Sequence, residues 1–126
     1  MNRFRGTPAL LLAFALCFAS GCSAPTPGSV VKRFYFLLSA GQTSAAMNEC
    51  SRELKAFGPK FNAALEQAAR EIQQKGGVES VEIEDLEVEK QVAKLVALIK
   101  LKDGSTNKER HVLVLEDGRW RLSASK

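Results

Sequence analysis

The hydrophobic pattern of this 126-residue chain changes period once, at Gly76-Gly77, and that change constrains the fold more than any other feature. Before it, apolar residues recur every three or four positions. Val30, Val31, Phe34, Leu37 and Leu38 share one helical face, with Thr26-Pro27 as a start signal and Gly41 as a stop. Thr43 to Cys50 reads as a second, short helix. Leu54, Phe57, Phe61, Leu65, Ala68 and Ile72 mark a third. A break is expected inside it at Gly58-Pro59, because proline lacks the amide hydrogen and clashes with the preceding turn. Phe61 to Ile72 lies clear of that break.

From Val78 the spacing becomes two. Val81 and Ile83 alternate with acids, and Leu86 and Val88 continue on the opposite parity, so a bulge is expected near Glu84-Asp85. Val92 to Leu101 is a dense apolar run ending at Asp103-Gly104, a hairpin signal. His111 to Leu115 follows, then a second signal at Asp117-Gly118, then Trp120 and Leu122. Helices first and turn-linked strands last make an α+β chain with an antiparallel meander. Acids load the first strand (Glu79, Glu82, Glu84, Asp85, Glu87, Glu89), and Lys90, Lys94, Lys100, Lys102, Lys108, Arg110, Arg119 and Arg121 load the others. Charge pairing across the strands is therefore expected to support register. An acidic row spread along a strand does not converge as a calcium loop must, so no metal site is expected.

The N-terminus carries a separate message. Arg3 and Arg5 precede eleven apolar residues, Ala9 to Ala19. A membrane-crossing helix needs about 20, so this run has the length and flanks of a signal-peptide core. Ala19-Ser20-Gly21-Cys22 resembles the lipobox of bacterial lipoproteins, with Ala19 where leucine is usual. The resemblance implies cleavage between Gly21 and Cys22 and a diacylglycerol on the Cys22 sulfur. Plain secretion is the alternative, since Ala19-Ser20-Gly21 also fits a small-x-small cleavage site. Residues 1–21 are then signal, 22–28 the lipidated cysteine and a short tether, and 29–126 a single domain. Ser23 stands where aspartate would hold such a protein at the inner membrane. That implies the periplasmic face of the outer membrane.

Of the 18 basic residues only Arg3 and Arg5 fall in the signal, leaving 16 against 14 acids. So small an excess gives no case for nucleic-acid binding. Cys17 leaves with the signal and Cys22 is committed to lipid, so Cys50 has no partner within the domain and reads as a buried, inert thiol.

Thr26-Pro27, Val30-Val31, Phe34-Tyr35, Gly41 with its Ala-rich helix, the long third helix and the final Asp117-Gly118-Arg119-Trp120-Arg121-Leu122 together resemble small bacterial lipoproteins of the nuclear transport factor 2-like superfamily. The resemblance implies a cone in which a curved antiparallel sheet wraps the N-terminal helix. The open end of such a cone often holds an apolar pocket. Tyr35, Phe61, His111 and Trp120 are the candidate pocket residues. The superfamily includes isomerases, dehydratases and many non-enzymes, so fold does not settle function. His111 is the only histidine. Its place beside Val112 reads as a surface position, and an unpartnered ring makes no mechanism. The expected function is a non-catalytic envelope module, anchored to the membrane at Cys22 and binding an envelope protein or a small apolar ligand without a cofactor. The alternative is a small-molecule enzyme pairing His111 with a pocket acid.

Overall fold

In the computed structural model of the protein, residues 25–124 are described, and they form four helices followed by four strands. The signal peptide, Gly21 and Cys22 lie outside the described residues. Helix α1 spans Pro27–Ser39, α2 Thr43–Met47, α3 Arg52–Lys55 and α4 Pro59–Gln74; strands β1 to β4 span Val78–Glu89, Val92–Leu101, Thr106–Glu116 and Arg119–Ser123. The sheet is antiparallel throughout, in the order β1-β2-β3-β4, and it curves around α1. The α+β reading holds.

Helix α1 begins where the proline signal places it. The Thr26 hydroxyl accepts the Ser29 amide at 3.2 Å, and Pro27 occupies the first turn, where a missing N–H costs nothing. Pro27 is buried, and a Cβ on Gly28 would sit 3.3 Å from Ile83 on β1. The last two residues assigned to the tether therefore belong to the folded domain. The long third helix is interrupted as expected. One turn, α3, is capped by Ser51, and α4 then restarts with Gly58 at φ +66° and Pro59 in its first turn.

Helix α2 is shorter than its sequence pattern. It ends at Met47 because the next residues are taken into the sheet. The Leu122 amide donates to the Glu49 carbonyl at 2.8 Å, and the Ser51 amide donates to the Leu122 carbonyl at 2.6 Å. Cys50 thus bridges to β4 and is buried. Burial pushes its thiol up to about 12, which accords with an inert role.

Strand β1 carries the bulge, between Glu84 and Glu87, with Asp85 at φ +53°. The bulge returns Leu86 and Val88 to the inward parity of Val81 and Ile83. They lie beyond the helices, however, and remain exposed. The expected charge pairing is partial. Glu79 pairs with Lys100 at 3.4 Å and Glu87 lies opposite Lys94, but Glu82 and Glu84 face Leu98 and Val96. Strand β2 is apolar on both faces, so it holds most acids of β1 apart from Lys108 and Arg110 of β3.

The core lies between the helices and the concave face of the sheet. Val31, Leu38, Leu101 and Leu113 are its most deeply buried large residues. At about 25 cal/mol per Å² of apolar surface, fully burying each such side chain is worth about 1.5–3 kcal/mol before entropy is counted. Ser39 ties the layers together: its hydroxyl accepts the Val78 amide at 3.0 Å, joining the end of α1 to the start of β1.

Candidate functional site

Strand β3 has two halves. Residues from Val112 onward pair with β4, whereas Thr106 to Arg110 pair with β2 alone and form a free edge. The β2–β3 register sets Asn107 opposite Ile99, Glu109 opposite Ala97 and His111 opposite Leu95. Those β2 residues are buried on the concave face, so the three polar residues also point inward. Inward polar groups on an unpaired edge discourage strand addition, and here they also supply one wall of a cavity.

The cavity has a volume of about 260 Å³ and lies between α1, α4 and the sheet. Its apolar part comes from Phe34 and Leu38 of α1, Leu65, Ala68 and Ile72 of α4, and Ile99 and Leu101 of β2. Its polar part comes from Tyr35, Glu71, Lys75, Asn107 and Glu109. The lining follows from periodicity. Positions 65, 68 and 72 recur at helical spacing along the buried stripe of α4, and Glu71 and Lys75 edge that stripe where the helix meets solvent. An apolar enclosure with a few convergent polar groups is the ordinary form of a small-molecule site.

The strongest polar contact at this end is between Tyr35 and His111, with the hydroxyl oxygen 2.7 Å from Nε2. The rings meet edge to face, with centroids 5.7 Å apart. Burial holds the His111 ring down to about 4. Burial also raises the Tyr35 hydroxyl well above its ordinary value, with the nearby Glu109 carboxylate adding to the shift. Both groups are therefore neutral near pH 7. The Tyr35 hydroxyl then donates to Nε2, with the ring proton on Nδ1. In the other tautomer Nε2–H donates to the tyrosine oxygen and frees the phenolic proton. The pair can thus offer a ligand either an acceptor or a donor without a net charge.

Of the four residues singled out from sequence, Tyr35 lines the cavity. His111 adjoins it through the Tyr35 hydroxyl. It is not the surface, unpartnered ring expected, because its strand presents the opposite face to the one its neighbours suggested. Phe61 and Trp120 are half-buried and pack against the core, outside the cavity lining. Glu71, Lys75, Asn107 and Glu109 escaped notice because polar residues on an amphipathic helix or an edge strand look solvated in sequence.

No family model matches the chain, and no curated protein matches it. Five chains of solved structure do. One is a provisionally named nuclear transport factor 2-like transpeptidase from Campylobacter jejuni, 23% identical, with a TM-score of 0.69 over 80% of this chain and all of that one. At that identity the likeness speaks for architecture. The fold of this chain is nuclear transport factor 2-like.

Proposed function

We propose that this chain is a non-catalytic binding module of the bacterial envelope. It is anchored through lipid on Cys22 at the periplasmic face of the outer membrane and holds a small, largely apolar ligand between α1, α4 and the sheet. The observation that carries this reading is the cavity itself, with seven apolar residues of three elements around a space of about 260 Å³ and a neutral hydrogen-bonding pair at its side. The lipobox resemblance supports the anchor, and helix α1 starting at Pro27 leaves a tether of only a few residues. The domain would therefore lie against the membrane.

A second reading, a small-molecule isomerase or dehydratase, is favoured by the Tyr35–His111 contact with Glu109 on the same face. The name of the Campylobacter jejuni relative suggests peptide transfer, which in its thiol form needs an accessible, ionisable nucleophile. Cys50 is buried and its thiol sits at about 12, so it does not meet that need.

Native mass spectrometry of the full chain, released from its own membranes in nonionic detergent, tests the proposal. A retained small molecule, lost in Ala68→Trp and unchanged in identity in His111→Gln, is the expected result. A molecule that differs in mass between parent and His111→Gln would turn the assignment to the enzyme. An empty cavity in every preparation would remove the ligand. Fatty-acid label on the parent that disappears in Cys22→Ser is expected for the anchor, and an unlabelled parent would remove it.

A further inference from the structure

Arg33, Lys55, Arg119 and Arg121 converge on a second recess of about 380 Å³, which shares no lining residue with the cavity. They arrive from α1, α3 and β4, separated by up to 88 positions in the chain. The recess is held by backbone. The two hydrogen bonds between Leu122 and the Glu49–Ser51 segment fix β4, with Arg119 and Arg121, against the α2–α3 connection.

Only one acid lines this recess, Glu49. Its side chain is 9% exposed and pairs with Arg33 Nε at 3.6 Å. Arg121 donates to the Asn48 carbonyl, a neutral acceptor. Among the described residues Lys55 and Arg119 take part in no ion pair. Of the acids on neighbouring elements, Glu116 stands opposite Arg119 in the β3–β4 register, and each makes a contact outside the recess lining. Asp117 pairs with Arg52, Glu116 accepts the Arg52 amide, and Glu53 accepts the Ser123 hydroxyl. Four cations against one carboxylate is a strong local excess in a chain whose 16 and 14 charges beyond the signal nearly cancel. A concave surface of one sign concentrates counter-ions, and guanidinium groups match the oxygens of phosphate in pairs.

We propose that this recess binds a phosphate group, either free in solution or as the head of an anionic phospholipid. Arg119, Arg121 and Lys55 would meet its oxygens, and the Glu49 carboxylate would hold Arg33 in place at the rim. The Glu49 charge also selects for a ligand that brings more than one hydrogen-bond acceptor, because a single weak acceptor would not offset its repulsion.

The test uses the full chain in dodecyl maltoside, with the side-chain Nε–H resonances of Arg119 and Arg121 as the readout and inorganic phosphate as the probe. A second arm places the full chain in nanodiscs of phosphatidylcholine, with and without phosphatidylglycerol. The parent should show saturable shifts. Neutralising the unpaired lysine together with Arg119 (Lys55→Gln, Arg119→Gln) should weaken binding at least about tenfold, since each charge-assisted hydrogen bond is worth a factor of that order. The control pair Lys90→Gln, Lys94→Gln, with the same charge change on the β1–β2 hairpin, should bind as the parent does. Arg121 reports in the double variant, and thermal melting checks its fold. Shifts with inorganic phosphate identify a soluble ligand. Shifts only with phosphatidylglycerol identify the lipid head. Silence in both arms, or equal weakening in the control pair, overturns the proposal.

Discussion

The burial of His111 makes a quantitative claim about stability and pH. In the folded chain the ring protonates near 4, whereas in the unfolded chain it protonates near its ordinary value of about 6.5. Between those limits the unfolded state holds more protons than the folded one, so stability rises with pH and is lost as pH falls from 6.5 towards 4. From pH 7 to pH 5 the two values give a loss of about 2 kcal/mol. That is about 1 M in the urea midpoint for a domain of this size. Ordinary carboxylates titrate below this interval, and His111 is the only histidine, so its contribution can be isolated. His111→Gln keeps an acceptor for the Tyr35 hydroxyl but cannot take up a proton. It should cost about 1 kcal/mol at pH 7 through altered packing and a weaker hydrogen bond, and then hold nearly constant to pH 5. Parent and variant curves should therefore cross. The assay is urea unfolding at pH 7, 6 and 5, followed by the fluorescence of Trp120, the single tryptophan, which packs on the core. Parallel losses in parent and variant, or a parent flat between pH 7 and 5, would refute the neutral, half-buried ring and with it the Tyr35–His111 pair beside the cavity.

Three further outcomes follow from packing and backbone geometry. Leu113→Ala, at a fully buried position of β3, should lower unfolding free energy by about 2–5 kcal/mol in calorimetry. Gly77→Ala should cost more than about 1 kcal/mol, because the residue has φ +98° and its new Cβ would lie 2.9 Å from the Ser39 hydroxyl that receives the Val78 amide. The same change at Gly118, also at positive φ but with open space around it, should cost less, and equal losses would show that the Ser39 contact is unimportant. In a Cys17→Ser, Cys22→Ser background, Cys50 should react with a thiol reagent only as fast as the domain opens, and raising the pH from 7 to 9 should bring no acceleration beyond that of opening.

How much of this architecture is legible in the sequence depends on where burial differs between the two faces of an element. Helices α1 and α4 have one apolar stripe each, so spacing alone locates them, and Gly58-Pro59 marks the break. In β1 the parity slip from Val81 and Ile83 to Leu86 and Val88 reveals the bulge directly. Strand β3 offers no such contrast. Asn107 and Glu109 inward alternate with Lys108 and Arg110 outward, and Leu113 and Leu115 inward alternate with Val112 and Val114 outward. Polar on both faces in one half and apolar on both in the other, the strand has no readable parity.

Its orientation is decided by the turn before it. A two-residue Asp103-Gly104 loop would pair Lys102 with Ser105 and set His111 opposite Val96, on the convex face. The chain instead forms a three-residue loop, Lys102 to Gly104. The Leu101 amide bonds the Ser105 carbonyl at 2.9 Å, Gly104 sits at φ +94°, and the Asp103 carboxylate accepts the Ser105 amide at 2.9 Å. Lys100 then pairs with Thr106, and His111 falls opposite Leu95. Because the side-chain period is two, that one residue of loop turns the whole strand over. The informative signal was Ser105 following Asp103-Gly104, since an aspartate that captures the amide two residues on favours the longer turn. Strand β4, only five residues long, leaves Thr106 to Arg110 unpaired on their outer side. The polar wall of the cavity is thus the joint product of a short last strand, which leaves the edge of β3 open, and of a loop one residue longer than the minimum, which aims that edge inward.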